Sequence, residues 1–369
     1  MARATDSDFM KMALSLAERG LGIVAPNPAV GCLIVRDGVV VGRGWTQKGG
    51  RPHAETEALA RAGEAARGAT AYVTLEPCAH HGRTPPCAGA LIEAGVARVV
   101  GAVSDPDPRV AGKGYAMLRE AGIEVIENVL EAEARALNQG FFLKVMDGRP
   151  LVTLKLATSA DGKTATHSGH SRWITGEVAR ARGHLLRATH DAIMVGSATA
   201  IVDDPMLDCR LPGLEDRSPI RIVADGRLRL PLTSKLVRDA RAGAPVWLLT
   251  MAGGDAARRA AFEECGVELI DVPKGADEHM DMQKALGLLG ERGITRLLVE
   301  GGARLAASLI RAHRVDRIEW FCAPRIIGGD GTSGIASLGV DTLGKAPSLV
   351  LKETQSLGDD TLSSYVVRN

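Results

Sequence analysis

Four side chains in the first quarter of the chain have the right types to hold and use a metal: His53, Glu55, Cys78 and Cys87. One imidazole and two thiolates suit a zinc ion whose fourth position stays open, the pattern of a catalytic rather than a closed structural site. Two thiolates balance the two charges of the ion, and a water in the open position then ionises near neutral pH. Glu55 stands two residues after His53, close enough to reach that water without ligating the ion, so it is the candidate proton shuttle between water, substrate ring and leaving ammonia. Both cysteines are expected at helix starts, where the helix dipole favours thiolate. His-x-Glu followed by Pro-Cys and a second Cys is the order found in zinc nucleobase deaminases. Here eight residues separate the cysteines, a wider spacing than in that signature. A purely structural zinc site would need a fourth protein ligand. His80 and His81 are the nearest candidates, and Glu55 would then have no role.

Alternating strand and helix patterns must carry these residues. Apolar spacing predicts a helix over 8–19 with Phe9, Met12, Ala13 and Leu16 on one face. A hairpin over 29–36 and 39–43 turns at Asp37-Gly38. A helix over 52–67 opens at the His-x-Glu pair, a short strand over 71–75 leads into Cys78, and a helix over 86–94 opens at Cys87. Strands over 96–103 and 124–129 flank a helix over 115–121. Such alternation implies a layered α/β sheet. The stretch 138–150 reads as a junction, and a new α/β pattern begins at 151–157. The expected domains are therefore 1–147 and 148–369. In the second, strands are expected over 192–195, 220–224, 246–250, 269–272, 296–299 and 317–322. Helices are expected over 176–189, 256–265, 280–291 and 303–313.

Composition narrows the function classes. The 369 residues carry 45 Lys plus Arg against 44 Asp plus Glu, without the basic footprint of a nucleic-acid binder. Aromatic residues are only 3%, so the cores must be built from Ala, Val, Leu and Ile. No run approaches a membrane span and the first residues lack a signal peptide's apolar core, so a cytoplasmic protein is expected. The other four cysteines, Cys32, Cys209, Cys265 and Cys322, read as small core or loop residues.

Three strings go further. Glu76-Pro77-Cys78-Ala79-His80-His81-Gly82-Arg83-Thr84-Pro85-Pro86-Cys87, Pro26-Asn27-Pro28-Ala29-Val30-Gly31-Cys32, and Asp105-Pro106-Asp107-Pro108 with Gly112-Lys113-Gly114 closely resemble the bifunctional deaminase/reductases of bacterial riboflavin biosynthesis, and the resemblance runs through the whole chain. It implies a cytidine-deaminase-like three-layer domain followed by a dihydrofolate-reductase-like α/β domain. The first would hydrolytically deaminate 2,5-diamino-6-ribosylamino-pyrimidinone 5-phosphate with one zinc per chain. The second would use NADPH to reduce the ribosyl group to ribityl. The expected partners are that small-molecule ribotide and further copies of the chain, with neither nucleic acid nor membrane.

By the same resemblance Asn27, His80 and Arg83 contact the deaminase substrate. Thr46 stands where the family is expected to place a substrate-contacting His, which puts one polar contact in doubt. The second half has no Gly-x-Gly-x-x-Gly between a strand and a helix, so a Rossmann site is not expected. Glu300-Gly301-Gly302 between a strand and a helix forms a turn that suits either tight packing or phosphate. Carried over by position, Ser171, Arg187, Leu207, Arg210 and Glu300 resemble substrate contacts, the two arginines suiting a 5-phosphate. Ala157, Trp173, Thr199, Asp203 and the run Gly302, Ala303, Arg304, Leu305, Ala306, Ala307 and Ser308 resemble cofactor contacts. Lys155 and Asp203 are both candidates for the proton that the opened sugar needs. A nucleoside or transfer-RNA deaminase with an unrelated C-terminal domain is the nearest enzymatic alternative.

Overall fold

The computed structural model describes residues 4–79, 85–108, 110–275 and 278–368. The chain divides into two compact units, Met1–Gly148 and Arg149–Asn369.

In the first unit a five-stranded sheet has the order β2-β1-β3-β4-β5. Its strands are β1 (Gly31–Arg36), β2 (Val39–Trp45), β3 (Thr70–Val73), β4 (Arg98–Gly101) and β5 (Glu124–Ile126). The β1–β2 turn is Asp37-Gly38, with φ of 52° and 78°, the left-handed pair that a two-residue hairpin needs. Six helices accompany the sheet: α1 (Asp6–Ala17), α2 (Ala54–Ala62), α3 (Cys87–Glu93), α4 (Lys113–Glu120), α5 (Glu131–Leu137) and α6 (Gln139–Asp147). Register explains the layering. Gly31 pairs with Trp45, and Cys32 pairs with Gly44, so the two pairs point to opposite faces. A Cβ on Gly31 would lie 1.9 Å from the Ala13 carbonyl, and one on Gly44 would lie 2.2 Å from the Ala54 carbonyl. Thus α1 presses on one face and α2 on the other, giving three layers.

Three expectations need correction. Thr5 and Asp8 form a capping box that starts α1 at Asp6, and the buried face is Phe9, Met10, Ala13, Leu14 and Ala17, leaving Met12 48% exposed. The junction over 138–150 is mostly helix α6, which ends at Gly148 in the left-handed conformation. Asn138 is buried, its Oδ1 accepting from Ala29 N and its Nδ2 donating to Ala29 O, both at 2.9 Å. The segment therefore belongs to the first unit and pins the loop that carries Asn27.

The second unit has a nine-stranded sheet. Its strands are β6 (Leu151–Ser159), β8 (Ala192–Gly196), β9 (Ile220–Ala224), β10 (Val246–Met251), β11 (Glu268–Val272), β12 (Arg296–Glu300), β13 (Arg317–Ala323), β15 (Ser348–Leu357) and β16 (Asp360–Arg368). Two short strands, β7 (Lys163–Ala165) and β14 (Thr332–Ser333), pair separately. The helices are α7 (Glu177–Ala188), α8 (Ser197–Asp203), α9 (Lys235–Arg238), α10 (Ala256–Glu264), α11 (Met282–Glu291) and α12 (Ala303–Arg311). Strand order is β11-β10-β9-β8-β12-β6-β13-β16-β15, parallel through β13 and antiparallel beyond it. The central parallel strands β8, β9, β10 and β12 are mostly apolar and buried, as coverage of both faces demands, whereas β11 and β13 mix buried with more exposed positions. The chain leaves β6, skips one position to lay down β8, and returns later to fill the gap with β12. Such a reversal opens a crevice at the carboxyl ends of the strands, where ligands bind in open α/β sheets. The β15–β16 hairpin was not expected, because its residues are largely exposed and polar.

Candidate active site

Packing of α2 on β2 brings His53 to the helix N-cap and Glu55 to its first turn. Cys87 opens α3. Cys78 stands in the loop after β3 rather than at a helix start of its own, which corrects the expectation. The α3 start still serves it, since the Cys87 backbone N–H donates to Cys78 Sγ at 3.3 Å. His53 Nδ1 lies 3.2 Å from Cys87 Sγ and 3.8 Å from Cys78 Sγ, and the three candidate ligand atoms all fall within 4.8 Å of one another. Zinc bonds of about 2.0–2.3 Å in tetrahedral geometry place such ligand atoms about 3.6–3.8 Å apart. The cluster therefore fits the ion.

Electrostatics agrees with the geometry. The hydrogen bond from the Cys87 thiol draws Cys78 down to about 4 against the opposing effect of burial, with His53 and the Cys87 N–H adding to the pull. Cys87, which gives that bond, is pushed well above the ordinary thiol range. Binding a dication between the two sulfurs would release that proton. Glu55 is only 4% exposed and burial raises its carboxyl above the usual range, opposed by His53. A carboxyl raised toward neutrality can both take and return a proton.

Around this centre the motifs hold one another. Glu76, buried in the loop after β3, accepts from the backbone N–H groups of Asp105, Gly112, Gly114 and Tyr115 at 3.0–3.4 Å. The Asp-Pro-Asp-Pro and Gly-Lys-Gly strings are thereby clamped behind Cys78. A Cβ on Gly114 would lie 1.9 Å from the Pro77 carbonyl, so the approach admits only glycine. Sequence reasoning gave Glu76 and Asn138 no role; a single acid before Pro-Cys was the only signal. Asn27 packs on Gly50, where a Cβ would lie 1.6 Å from Asn27 Nδ2. Thr46 is buried and its hydroxyl accepts from Val30 N at 3.0 Å. It finishes the hairpin and does not supply the polar contact that a His there would. His80 and Arg83 lie outside the described residues.

In the second unit Glu300 ends β12, Thr199 and Asp203 lie on α8 directly after β8, Lys155 lies mid-way along β6 and Arg187 lies on α7. Lys155 pairs in register with Glu300 on one side and Glu319 on the other. Its Nζ lies 3.4 Å from Glu300 Oε2. Arg187 makes a two-pronged ion pair with Glu300, Nε to Oε1 at 2.7 Å and Nη2 to Oε2 at 3.0 Å, and its Nη1 donates to the Asp208 carbonyl at 2.9 Å. Burial would raise the Glu300 carboxyl, but Arg187 and Lys155 outweigh it and hold it at about 2. Much of the Arg187 fork is thus already committed to a carboxylate.

Arg210 is different. Its side chain is 57% exposed and ion-paired to Asp208 at 2.6 Å. Leu207 is buried in the core, while Ser171 is half-buried. Trp173 is exposed, with the Arg180 guanidinium 4.7 Å from its ring. The neighbouring Arg172 donates to the Asp203 carbonyl at 3.0 Å. Thr199 faces the Gly301-Gly302 turn, whose φ values of 85° and 88° only glycine adopts readily. Ala303 and Arg304 begin α12. Leu305, Ala306 and Ala307 point into the core, so these three can meet a cofactor only through backbone, and Ser308 is half-buried one turn further on. Ala157 is half-buried at the end of β6.

Comparison with known proteins now decides the family. Residues 3–103 match the cytidine and deoxycytidylate deaminase zinc-binding region, and residues 150–363 match the RibD C-terminal domain. The riboflavin biosynthesis protein RibD of Actinobacillus pleuropneumoniae is 44% identical over 98% of this chain and 96% of its own. The chain belongs to the RibD family. Among solved structures, Acinetobacter baumannii RibD superposes with a TM-score of 0.88 at 37% identity, covering 99% of both chains. A Thermotoga maritima diaminohydroxyphosphoribosylaminopyrimidine deaminase/5-amino-6-(5-phosphoribosylamino)uracil reductase gives 0.84 at 35%, covering 98% of both. As a RibD family member the chain is a bifunctional deaminase and reductase of riboflavin biosynthesis. It joins a cytidine-deaminase-like fold to a reductase fold. The zinc-binding region it matches contains His53, Cys78 and Cys87, which lie close enough together to hold the ion. Among the described residues no helix is long and apolar enough to cross a membrane.

Proposed function

We propose that the first unit deaminates 2,5-diamino-6-ribosylamino-pyrimidinone 5-phosphate and that the second reduces the product's ribosyl group to ribityl. The observation that carries the first half is the convergence of His53, Cys78 and Cys87, with buried Glu55 beside them. Zinc held by these three residues supplies a water acidic enough to attack at neutral pH. Glu55 would take the two protons of that water in turn, giving the first to the pyrimidine ring nitrogen and the second to the amine, which leaves as ammonia. Asn27, on a loop fixed by Asn138, orients the pyrimidine, with His80 and Arg83 beside it.

NADPH supplies the second unit with a hydride for C1 of the opened sugar, and a proton must reach the ring oxygen. Between the two candidates the geometry favours Lys155. Its ammonium sits beside Glu300, whereas Asp203 closes α8 next to Arg172. Glu300, held by Arg187, receives the sugar hydroxyls, and Arg210 meets the 5-phosphate. Ser171 and Leu207 shape the substrate side. Ala157, Trp173, Thr199, Asp203 and the Gly302–Ser308 turn and helix would hold the cofactor.

The test is incubation of the zinc-loaded protein with the diaminopyrimidine ribotide, following ammonia and NADPH absorbance separately. Ammonia should appear without NADPH, and NADPH should be consumed only once deaminated ribotide is present. Ammonia from cytidine or transfer RNA, with none from the ribotide, would contradict the reading.

A further inference from the structure

One side chain at the reductase site has no role in the reaction outlined above. His184 lies on α7, one turn after Arg180 and just before Arg187. Both of its ring nitrogens face the next residue of interest: Arg210 N is 3.3 Å from Nδ1, and Arg210 Nη2 is 3.4 Å from Nε2. The Asp208 backbone takes part in a hydrogen bond with the same imidazole. Asp208 also binds Arg210 through its carboxylate and Arg187 through its carbonyl. Resting on the reading that Arg210 meets the substrate phosphate, we propose that His184 is a positioning residue that fixes Arg210 in its phosphate-binding conformation.

The chemistry of the groups supports this. A main-chain N–H and a guanidinium only donate, so His184 must offer a lone pair to hold either of them. A neutral imidazole has one lone pair, which takes the Arg210 main-chain N–H at Nδ1, leaving the Nε2–H for the Asp208 carbonyl, while the guanidinium beside it is held by the Asp208 carboxylate. An imidazolium has no lone pair, and it would set donor against donor. The charged groups facing the ring are Arg187 and Arg210 on the cationic side, with Asp208 and Glu300 opposing them. Burial first, then the two arginines, hold His184 below the ordinary histidine range. His184 holds the Arg210 main chain while Asp208 holds its guanidinium, so without His184 the exposed segment carrying Arg210 would have to be ordered on binding. Removing that preorganisation weakens the phosphate-bearing substrate by about tenfold.

Reductase KM and kcat should be measured with the deaminated ribotide and with its dephosphorylated form, for wild type, His184→Leu, His184→Gln and Arg210→Ala. His184→Leu should raise KM about tenfold for the phosphorylated substrate only, with kcat nearly unchanged. His184→Gln keeps an acceptor that does not titrate. It should match wild type at neutral pH and show a smaller rise in KM on acidification than wild type, the part both share belonging to the substrate phosphate's own titration. Equal losses on both substrates in His184→Leu, or an acid rise in His184→Gln that tracks wild type, would overturn the inference. Should the leucine variant fail to fold, the pH profile of the glutamine variant decides alone. Arg210→Ala separates the layers. A phosphate-specific loss there without one in His184→Leu removes only the role of His184. No phosphate-specific loss in Arg210→Ala removes the underlying reading of Arg210.

Discussion

Replacing Asn138 by Ala tests whether the segment after α5 works as part of the deaminase unit. The side chain is 3% exposed, and its amide makes both of its bonds to one residue, Ala29, itself 3% exposed. Truncation leaves a buried N–H and a buried C=O without partners. Each unmet group costs about 1–3 kcal/mol, and partial relief by water puts the pair at about 2–4 kcal/mol. That energy falls on the loop carrying Asn27, two residues before Ala29. Amide exchange in a peptide covering residues 24–32 should therefore quicken by about 30- to 1000-fold, at 1.4 kcal/mol per decade. The deaminase KM for the ribotide should rise with it. The reductase, whose strands begin after Gly148, should keep its rate on deaminated ribotide. Wild-type exchange in that peptide together with a wild-type deaminase KM would refute the reasoning.

Other perturbations give sharper yes-or-no outcomes. Cys87→Ser should lose zinc and ammonia release together, read by elemental analysis beside the activity assay; full zinc content would remove Cys87 from the ligand set. Arg187→Ala should destabilise the second unit by up to about 3–5 kcal/mol, because it leaves the buried Glu300 carboxylate with only the longer Lys155 pair at 3.4 Å. Adding Glu300→Gln should restore much of that in urea denaturation, and a double variant no more stable than the single one would deny the pairing. His190 is fully buried between the Leu186 carbonyl and the Thr153 hydroxyl, at 2.7 and 3.0 Å. Burial, then Arg296, keeps it far below the ordinary histidine range. Its folded value lies below its unfolded one, so the stability is complete above about pH 6.5 and falls as pH drops through that point. About 2 kcal/mol should go by pH 5. His190→Gln should lack this part of the pH dependence, and an unchanged profile would assign it elsewhere.

Much of the zinc site was legible because its chemistry is local. His53 and Glu55 lie within one turn, and Cys78 and Cys87 bracket one short stretch of sequence. The central parallel strands β8, β9, β10 and β12 were legible for a similar reason, since burial on both faces writes itself as mostly apolar runs. What stayed hidden depends on partners far apart in sequence. Asn138 reads as a linker residue until Ala29 is seen against it, and Glu76 reads as a strand end until four backbone N–H groups converge on it. Arg187 looked like a free cation for a phosphate, whereas Glu300, 113 positions away, takes up much of its fork. The β15–β16 hairpin was invisible because an exposed edge needs no apolar alternation.

The central claim is that a carboxylate beside a His–Cys–Cys zinc centre drives the deamination, and Glu55→Gln tests it most directly. The ligand set is untouched, so zinc content should equal that of wild type. The amide cannot carry a proton, so ammonia release from the diaminopyrimidine ribotide should fall by about 100-fold or more, while NADPH oxidation on deaminated ribotide stays at the wild-type rate. A zinc-loaded Glu55→Gln protein that releases ammonia as fast as wild type would contradict the account.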